Sequence, residues 1–369
     1  MKNISLAVLA AVVGAAAVQC ITLITHAVSW ICFLGVVSFE APDISDSGLG
    51  GWIILVPVMG AIAGVLFIKF GKKAITPLSG IIMTGTGIPF GAEGILTSGL
   101  FVLGERNLLK AVVVASALAC LMKAPVAAVV LVFELGLVTL SFANLAMVAL
   151  AAAIGAGLIF LWRGWEAVFY LKDLPQLNLH TLYIYFVAGI IVSLLGILMT
   201  WLTKLLERVK YQRVWLPAVA AVIIGYLGWQ RPEGLGTGYN FIPELAAGTV
   251  NLQILLGLSL VRMAMLILAA GTGTPGRELI ISPLILIGGA LGMGSVFLIC
   301  LVTGTSGITP GLAAVAGIAA LLSGRLPVVF GALILSLEIT HQWMVIVPVL
   351  VAVIPAILLR KMLVRNDIN

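Results

Sequence analysis

The chain has 369 residues, of which 62% are hydrophobic and 9% charged, with a mean hydropathy of +1.23 and a net charge of +6. Such a chain has too little polar surface to cover a soluble globule of its size, which predicts an all-α polytopic membrane protein. The basic residues fall in short clusters between apolar runs; this excludes the basic stripe of a nucleic-acid binder and fits the positive-inside bias of membrane proteins.

The first apolar run, about Ile4 to Val37, predicts a retained membrane helix. A cleaved leader ending near Cys20 is disfavoured because the apolar stretch continues far enough beyond it to span by itself. An acidic loop with Glu40, Asp43 and Asp46 follows, and the next run, Trp52 to Phe70, ends among Lys69, Lys72 and Lys73, which places the N-terminus in the cytoplasm. Gly85 to Gly94, GTGIPFGAEG, then interrupts the apolar pattern with residues that break a helix. At membrane depth such a break survives only where it is buried in protein or lines a cavity. The helix that restarts after Gly91 presents free N–H groups and the positive end of its dipole, a ready anion site, and carries Glu93 there. Beyond Glu105, Arg106 and Lys110, the region Ala111 to Trp162 predicts three spans or half-spans and holds Lys123-Ala124-Pro125 and Glu134. The polar stretch Arg163 to His180 divides the chain into a first membrane repeat (1–165), a linker (166–180) and a second repeat (181–369).

Leu182 to Leu202 and Trp215 to Trp229 resemble the first two runs, but the loop between them carries Lys204, Arg208, Lys210 and Arg213 against Glu207. An acidic loop in one half and a basic loop at the equivalent place in the other is the charge signature of an inverted-topology repeat. Ile254 to Ala270, a second broken stretch Gly271 to Ile280 (GTGTPGRELI, with Glu278), Pro283 to Val302 and Leu312 to Leu359 complete this half. Arg325-Leu326-Pro327 and Glu338 repeat the earlier pattern, and Arg360, Lys361 and Arg365 put the C-terminus in the cytoplasm as well. One broken helix per half is the best sequence pointer to a transport site. The predicted anion path runs between the restarts after Gly91 and Gly276.

A pore for a small anion needs partial rather than full positive charge, since a full cation at low dielectric would hold the ion too tightly. A carboxylate on the restart competes with the anion for the same donors, so Glu93 is predicted to gate or couple to protons. Glu278 has the same potential, with a structural pair to Arg277 as its alternative. Glu134 and Glu338 are read as caps or pairs at helix ends, Lys123 and Arg325 as interfacial anchors, and Gly60 and Gly64 as packing residues. His26, His180 and His341 have no metal-ligand spacing, and Cys20, Cys32, Cys120 and Cys300 stand singly, so neither a metal nor a cofactor is expected. Without a paired-Asp, Ser-His or His-Glu-x-x-His arrangement, an intramembrane enzyme is not expected either. A non-transporting scaffold or sensor is the competing class, and two costly helix breaks argue against it.

The residues resemble the CLC chloride channels and proton/chloride exchangers. Gly91-Ala92-Glu93-Gly94-Ile95 looks like the family's G-[KR]-E-G-P, Lys123-Ala124-Pro125 through Glu134 like N-A-P-L-A-G-x-x-F-x-x-E, and Gly234 to Pro243 like its G-x-G-Y-x-x-I stretch. Pro283 to Gly288 is similar to the end of G-x-F-x-P, and Pro310 to Glu338 to the last long helices. The resemblance implies a CLC-like inverted repeat in each subunit, a membrane-embedded homodimer and a separate path per protomer for chloride or another small anion, with protons as possible co-substrate. Glu93 would be the gate, and Gly91, Ala92, Gly94, Ile95, Ile280 and Ile281 the anion cradle. Three departures stand out. The family's G-S-G-I-P element is fused to the gate motif, leaving Thr86 as the counterpart of the central serine. The chain reaches Asn369 before a central tyrosine or a regulatory module, and Leu135 replaces the second glutamate of proton-coupled members.

Overall fold

A computed structural model describes residues 2–70, 76–100, 107–171, 179–209 and 215–363. The expectations placed on Lys72, Lys73, Glu105, Arg106, Lys210, Arg213, Arg365 and linker positions 172–178 lie outside the described residues. Among the described residues there are helices and no strands. That follows from the composition, because a helix satisfies its backbone groups within the segment and needs no water. Seven helical segments among the described residues are long and apolar enough to cross a membrane, and shorter apolar helices lie between them.

The first half comprises α1 (Lys2–Ser29), α2 (Leu55–Phe70), α3 (Thr76–Gly85), α4 (Ala92–Gly99), α5 (Asn107–Met122), α6 (Pro125–Glu134) and α7 (Phe142–Arg163). The first span runs on as a π turn over Trp30–Leu34 and stops at Gly35, whose φ of 70° ends the helix short of the expected Val37. The second half comprises α8 (Leu182–Glu207), α9 (Leu216–Gln230), α10 (Ile242–Ala247), α11 (Leu252–Leu256), α12 (Arg262–Gly271), α13 (Ile281–Thr303), α14 (Pro310–Arg325), α15 (Phe330–Thr340) and α16 (Ile346–Leu363). The regions Ala111 to Trp162 and Leu312 to Leu359 thus each resolve into three helices.

The core is built around α5, α13 and α14. Every residue of α14 from Gly311 to Gly324 is buried, as is α5 from Ala111 to Cys120. Neither helix carries a side chain larger than Leu over those stretches, so neighbouring backbones come close.

α6 and α15 lie side by side and are too short to cross a membrane. A short helix ending inside the protein leaves N–H groups that need an acceptor. Glu134, at the end of α6, accepts from Val329 N (3.0 Å), Phe330 N (2.9 Å) and Gly331 N (2.7 Å) at the start of α15. Glu338, near the end of α15, accepts from Val126 N (3.0 Å) and Ala127 N (2.7 Å) at the start of α6. Each helix therefore caps the other with a carboxylate, the helix-end role read from the sequence. Lys123, in the left-handed region at φ 51°, makes the turn between α5 and α6 and donates to Arg163 O (3.4 Å) and Glu166 O (3.1 Å). It ties down the end of α7.

Candidate functional site

The first break lies between α3 and α4, which form a hairpin: Ile95 packs on Gly80, and Gly99 returns to Pro77. Gly91 is the extended residue before α4, with φ −99° and ψ 161°, and Ala92 begins the helix. Glu93 follows with 0% exposure. Its carboxylate folds back beside Gly91, over the N-terminus of its own helix. Ser282 N donates to Oε1 at 2.7 Å and Ser282 Oγ to Oε2 at 2.9 Å. Ser282 is in the first turn of α13, where N–H groups have no intrahelical acceptor and the dipole is positive. The carboxylate thus occupies an anion site at the N-terminus of a helix from the other half of the chain.

The second break extends further than the glycines suggest. α12 ends at Gly271 and α13 begins at Ile281, with a turn over residues 275–278 between them, so the helix does not restart after Gly276. Glu278 consequently sits in the unwound stretch. Its Oε2 accepts from Gly276 N at 3.0 Å, and its side chain lines a hollow of about 320 Å³ shared with Thr97, Asn107 and Lys110. Arg277 pairs with Glu207 at 3.2 Å rather than with Glu278. The structure therefore brings Glu93 to Ser282, while Glu278 lies on the side of α4 where that helix ends. Ile280 and Ile281, at the start of α13, are buried beside Ser282.

Thr86 is buried in the first break, but its hydroxyl donates to Ile82 O (2.9 Å) and Met83 O (3.0 Å), closing the end of α3. Ala92 and Ile95 are buried, and a methyl on Gly94 would collide with the Gly276 and Leu279 carbonyl oxygens. α4 therefore packs directly on the second break. The two breaks form one unit.

A cavity of about 570 Å³ reaches Ser282 from the side of the acidic loop. Its walls include His26, Glu40, Lys123 and Arg163, and Tyr239 lies beside Ser282 among its lining residues. Tyr239 follows a loop, 234–238, that α12 holds through Arg262. That arginine is 0% exposed and donates from Nη1 to Gly234 O (3.3 Å) and from Nη2 to Gly236 O (2.7 Å) and Thr237 O (2.6 Å). The same loop joins the first break, where Gly236 N donates to Gly87 O at 2.9 Å. Ser282 and Arg262 escaped the sequence reading, and Tyr239 entered it only as part of the Gly234 to Pro243 stretch. For Arg262 the signal was present, since a lone ionisable residue within an apolar run is a functional-site hypothesis by default.

Broken helices meeting N-terminus to N-terminus among membrane-spanning segments, with a cavity leading to them, define a polytopic membrane protein built like a transporter. A sequence profile of the voltage gated chloride channel family matches residues 55–361, and the chain belongs to that family. The H(+)/Cl(-) exchange transporter ClcA of Klebsiella pneumoniae (strain 342) is 26% identical over 273 residues, covering 70% of this chain and 56% of that protein. ClcA of Salmonella arizonae is 27% identical over 212 residues, covering 55% of this chain and 44% of that protein. The chain thus spans about half the length of the curated relatives it matches. Among solved structures, a slow cyanobacterial Cl-/H+ antiporter superposes with a TM-score of 0.71 at 18% identity, covering 98% of this chain and 93% of that one. A CLC-type fluoride/proton antiporter does so with 0.75 at 16% identity, covering 97% and 94%.

Proposed function

We propose that this protein moves a small inorganic anion, chloride in the first instance, across the membrane in exchange for protons, with Glu93 as both gate and proton carrier. The observation that carries the reading is the Glu93 carboxylate on the Ser282 N–H and hydroxyl. Donors that hold a carboxylate there suit a small anion equally well. A charged Glu93 fills the site. Once protonated it no longer competes for those donors, swings away and leaves them to the anion, so that proton and anion occupy the site in alternation. The anion's cradle is formed by the backbone at Gly91, Ala92, Gly94, Ile95, Ile280 and Ile281. Thr86, whose hydroxyl is committed to its own helix, is not among the ligands. Glu278 is the proton acceptor on the opposite face, beside Lys110 in the hollow that takes the place of a route through position 135. The halves 1–165 and 181–369, joined by 166–180, are inverted repeats; both termini are cytoplasmic and the protein works as a homodimer in a bacterial plasma membrane. Support for exchange comes from the antiporter relatives and structural neighbours.

The test is anion efflux from liposomes with proton movement recorded alongside. Wild type should drive protons uphill as chloride runs down its gradient, Glu93→Gln should conduct chloride with that proton movement abolished, and Glu278→Gln should slow both ions together. Efflux without proton movement in wild type would make the protein a channel. No efflux of chloride, fluoride or nitrate would return the reading to a scaffold or sensor.

A further inference from the structure

Three helices bring basic residues to one corner of the molecule. At the end of α14, Arg325 donates from Nη2 to Thr203 Oγ1 of α8 at 3.3 Å, and Arg360 of α16 donates from Nη1 to Gly324 O at 3.3 Å. Lys204, next to Thr203, is exposed. Each guanidinium is partly buried and spends one hydrogen bond although it offers five N–H donors, and Arg325 Nε is buried with no acceptor. The two arginines repel each other, and among the described residues no carboxylate forms an ion pair with either of them or with Lys204. Glu207 attracts Arg325 from beyond contact distance, but its ion pair, at 3.2 Å, is with Arg277. The C-terminal dipole of α14 amounts to roughly half a charge and offsets only part of two full ones. Cations drawn from water without a counter-charge are costly, so this corner lacks an anion.

The same corner opens onto an apolar groove. On α8, Leu194, Leu198, Trp201 and Lys204 follow one another at intervals of four and three, with Ile197 beside them, so one stripe runs along the helix and ends in an ammonium group. With Leu363 of α16 these residues line a hollow of about 300 Å³, in which Leu194, Leu198 and Trp201 are exposed. Thr200 joins the hollow to the basic cluster, since it lines the one and donates to Arg325 O at 3.2 Å in the other. We propose that this corner binds one anionic phospholipid, its phosphate on Arg325 and Arg360 with Lys204 alongside, and an acyl chain in the groove between α8 and α16. Guanidinium groups suit phosphate oxygens because their N–H donors come in pairs. A free phosphate would satisfy the charges and leave the apolar stripe unused, whereas a basic pocket between helices, at an end read as cytoplasmic, suits a lipid headgroup. The lipid ties the ends of α8 and α16 to the buried α14, and the site stands apart from the transport reading.

The full chain, stripped of lipid in an uncharged detergent, tests this by native mass spectrometry and thermal melting, with phosphatidylglycerol, phosphatidylcholine of the same chains and inorganic phosphate as probes. Phosphatidylglycerol should be retained as one molecule per chain and raise the melting temperature. Phosphatidylcholine, whose choline adds a cation to three others, and inorganic phosphate, which has no chain, should do neither. Arg325→Gln combined with Arg360→Gln should weaken phosphatidylglycerol retention about tenfold or more, the cost of losing hydrogen bonds between charged groups. Leu198→Trp fills the groove and leaves every charge in place; it should weaken retention as well, and it keeps the test open if the arginine variant fails to fold. Lys69→Gln, over Trp215 at the same end but outside the groove, should change nothing. Retention unchanged by the arginine substitutions or by Leu198→Trp would overturn the proposal, as would equal retention of phosphatidylcholine. An equal loss in Lys69→Gln would replace the site with diffuse attraction to charged lipid. Stabilisation by inorganic phosphate alone would make this a free-anion site and overturn the lipid assignment.

Discussion

At the scale of single residues, two glycines beside Glu93 do opposite jobs. A methyl at position 91 would collide with the carboxylate of Glu93 itself, the movable end of a flexible side chain. Gly91→Ala should therefore leave the fold in place and push the carboxylate off Ser282, mimicking an open gate. Liposomes should show faster chloride efflux at neutral pH and fewer protons per anion than wild type, with Glu93 still present. At position 94 the methyl would meet the main-chain carbonyl oxygens of Gly276 and Leu279, which cannot turn away. Gly94→Ala should cost about 1 to 3 kcal/mol through overpacking, read as a lower melting temperature in detergent. Both glycines and Glu93 were legible, because a carboxylate framed by glycines in an apolar sequence has few structural uses. Ser282 was not, since nothing in an apolar run marks one serine as the acceptor's partner from 189 residues away.

At the scale of helices, breaks and caps decide the architecture. Removing Glu134 strands three N–H groups at the start of α15, and removing Glu338 strands two at the start of α6. Glu134→Ala should cost about 3 kcal/mol and Glu338→Ala somewhat less, both read by thermal melting, with Gln recovering part because its amide oxygen still accepts. Proton-to-anion stoichiometry should not change in whatever folds, which separates these carboxylates from Glu93. The matching Lys-Ala-Pro and Arg-Leu-Pro sequences, each followed by a glutamate about one short helix later, made both caps readable. The start of α13 was not readable in the same way. Gly276 has φ 111° and extends the turn instead of starting a helix, and Arg277 anchors it to Glu207 from a distant helix. Local breaker residues locate a break but not its far end, which tertiary contacts choose.

At the scale of the whole molecule, the broken helices supply partial charge at depth, where the one buried cation among the described residues, Arg262, is spent on loop carbonyls, while other cations line the mouth. Arg163 and Lys123 line the cavity that leads to Ser282, with Glu40 opposite. Lys123 Nζ is committed to two carbonyls, which leaves Arg163 as the cation better placed to draw anions inward. Such steering acts on approach rather than on binding, and it fades with ionic strength, because the screening length falls from about 30 Å at 0.01 M to about 3 Å at 1 M. Arg163→Gln should therefore slow initial chloride efflux by about twofold to fivefold near 0.01 M ionic strength and leave it unchanged near 1 M, with chloride held constant and the rest made up by an impermeant salt. The Glu93-dependent proton stoichiometry should stay the same at both strengths. A loss that persisted at high salt would place Arg163 inside the conduction pathway, because only a charge exposed to the electrolyte is screened by it. The membrane class, the two breaks and the carboxylate of Glu93 beside the first follow from composition and local pattern, whereas this mouth is assembled from α1, α5, α7 and the acidic loop and exists only once the chain is folded.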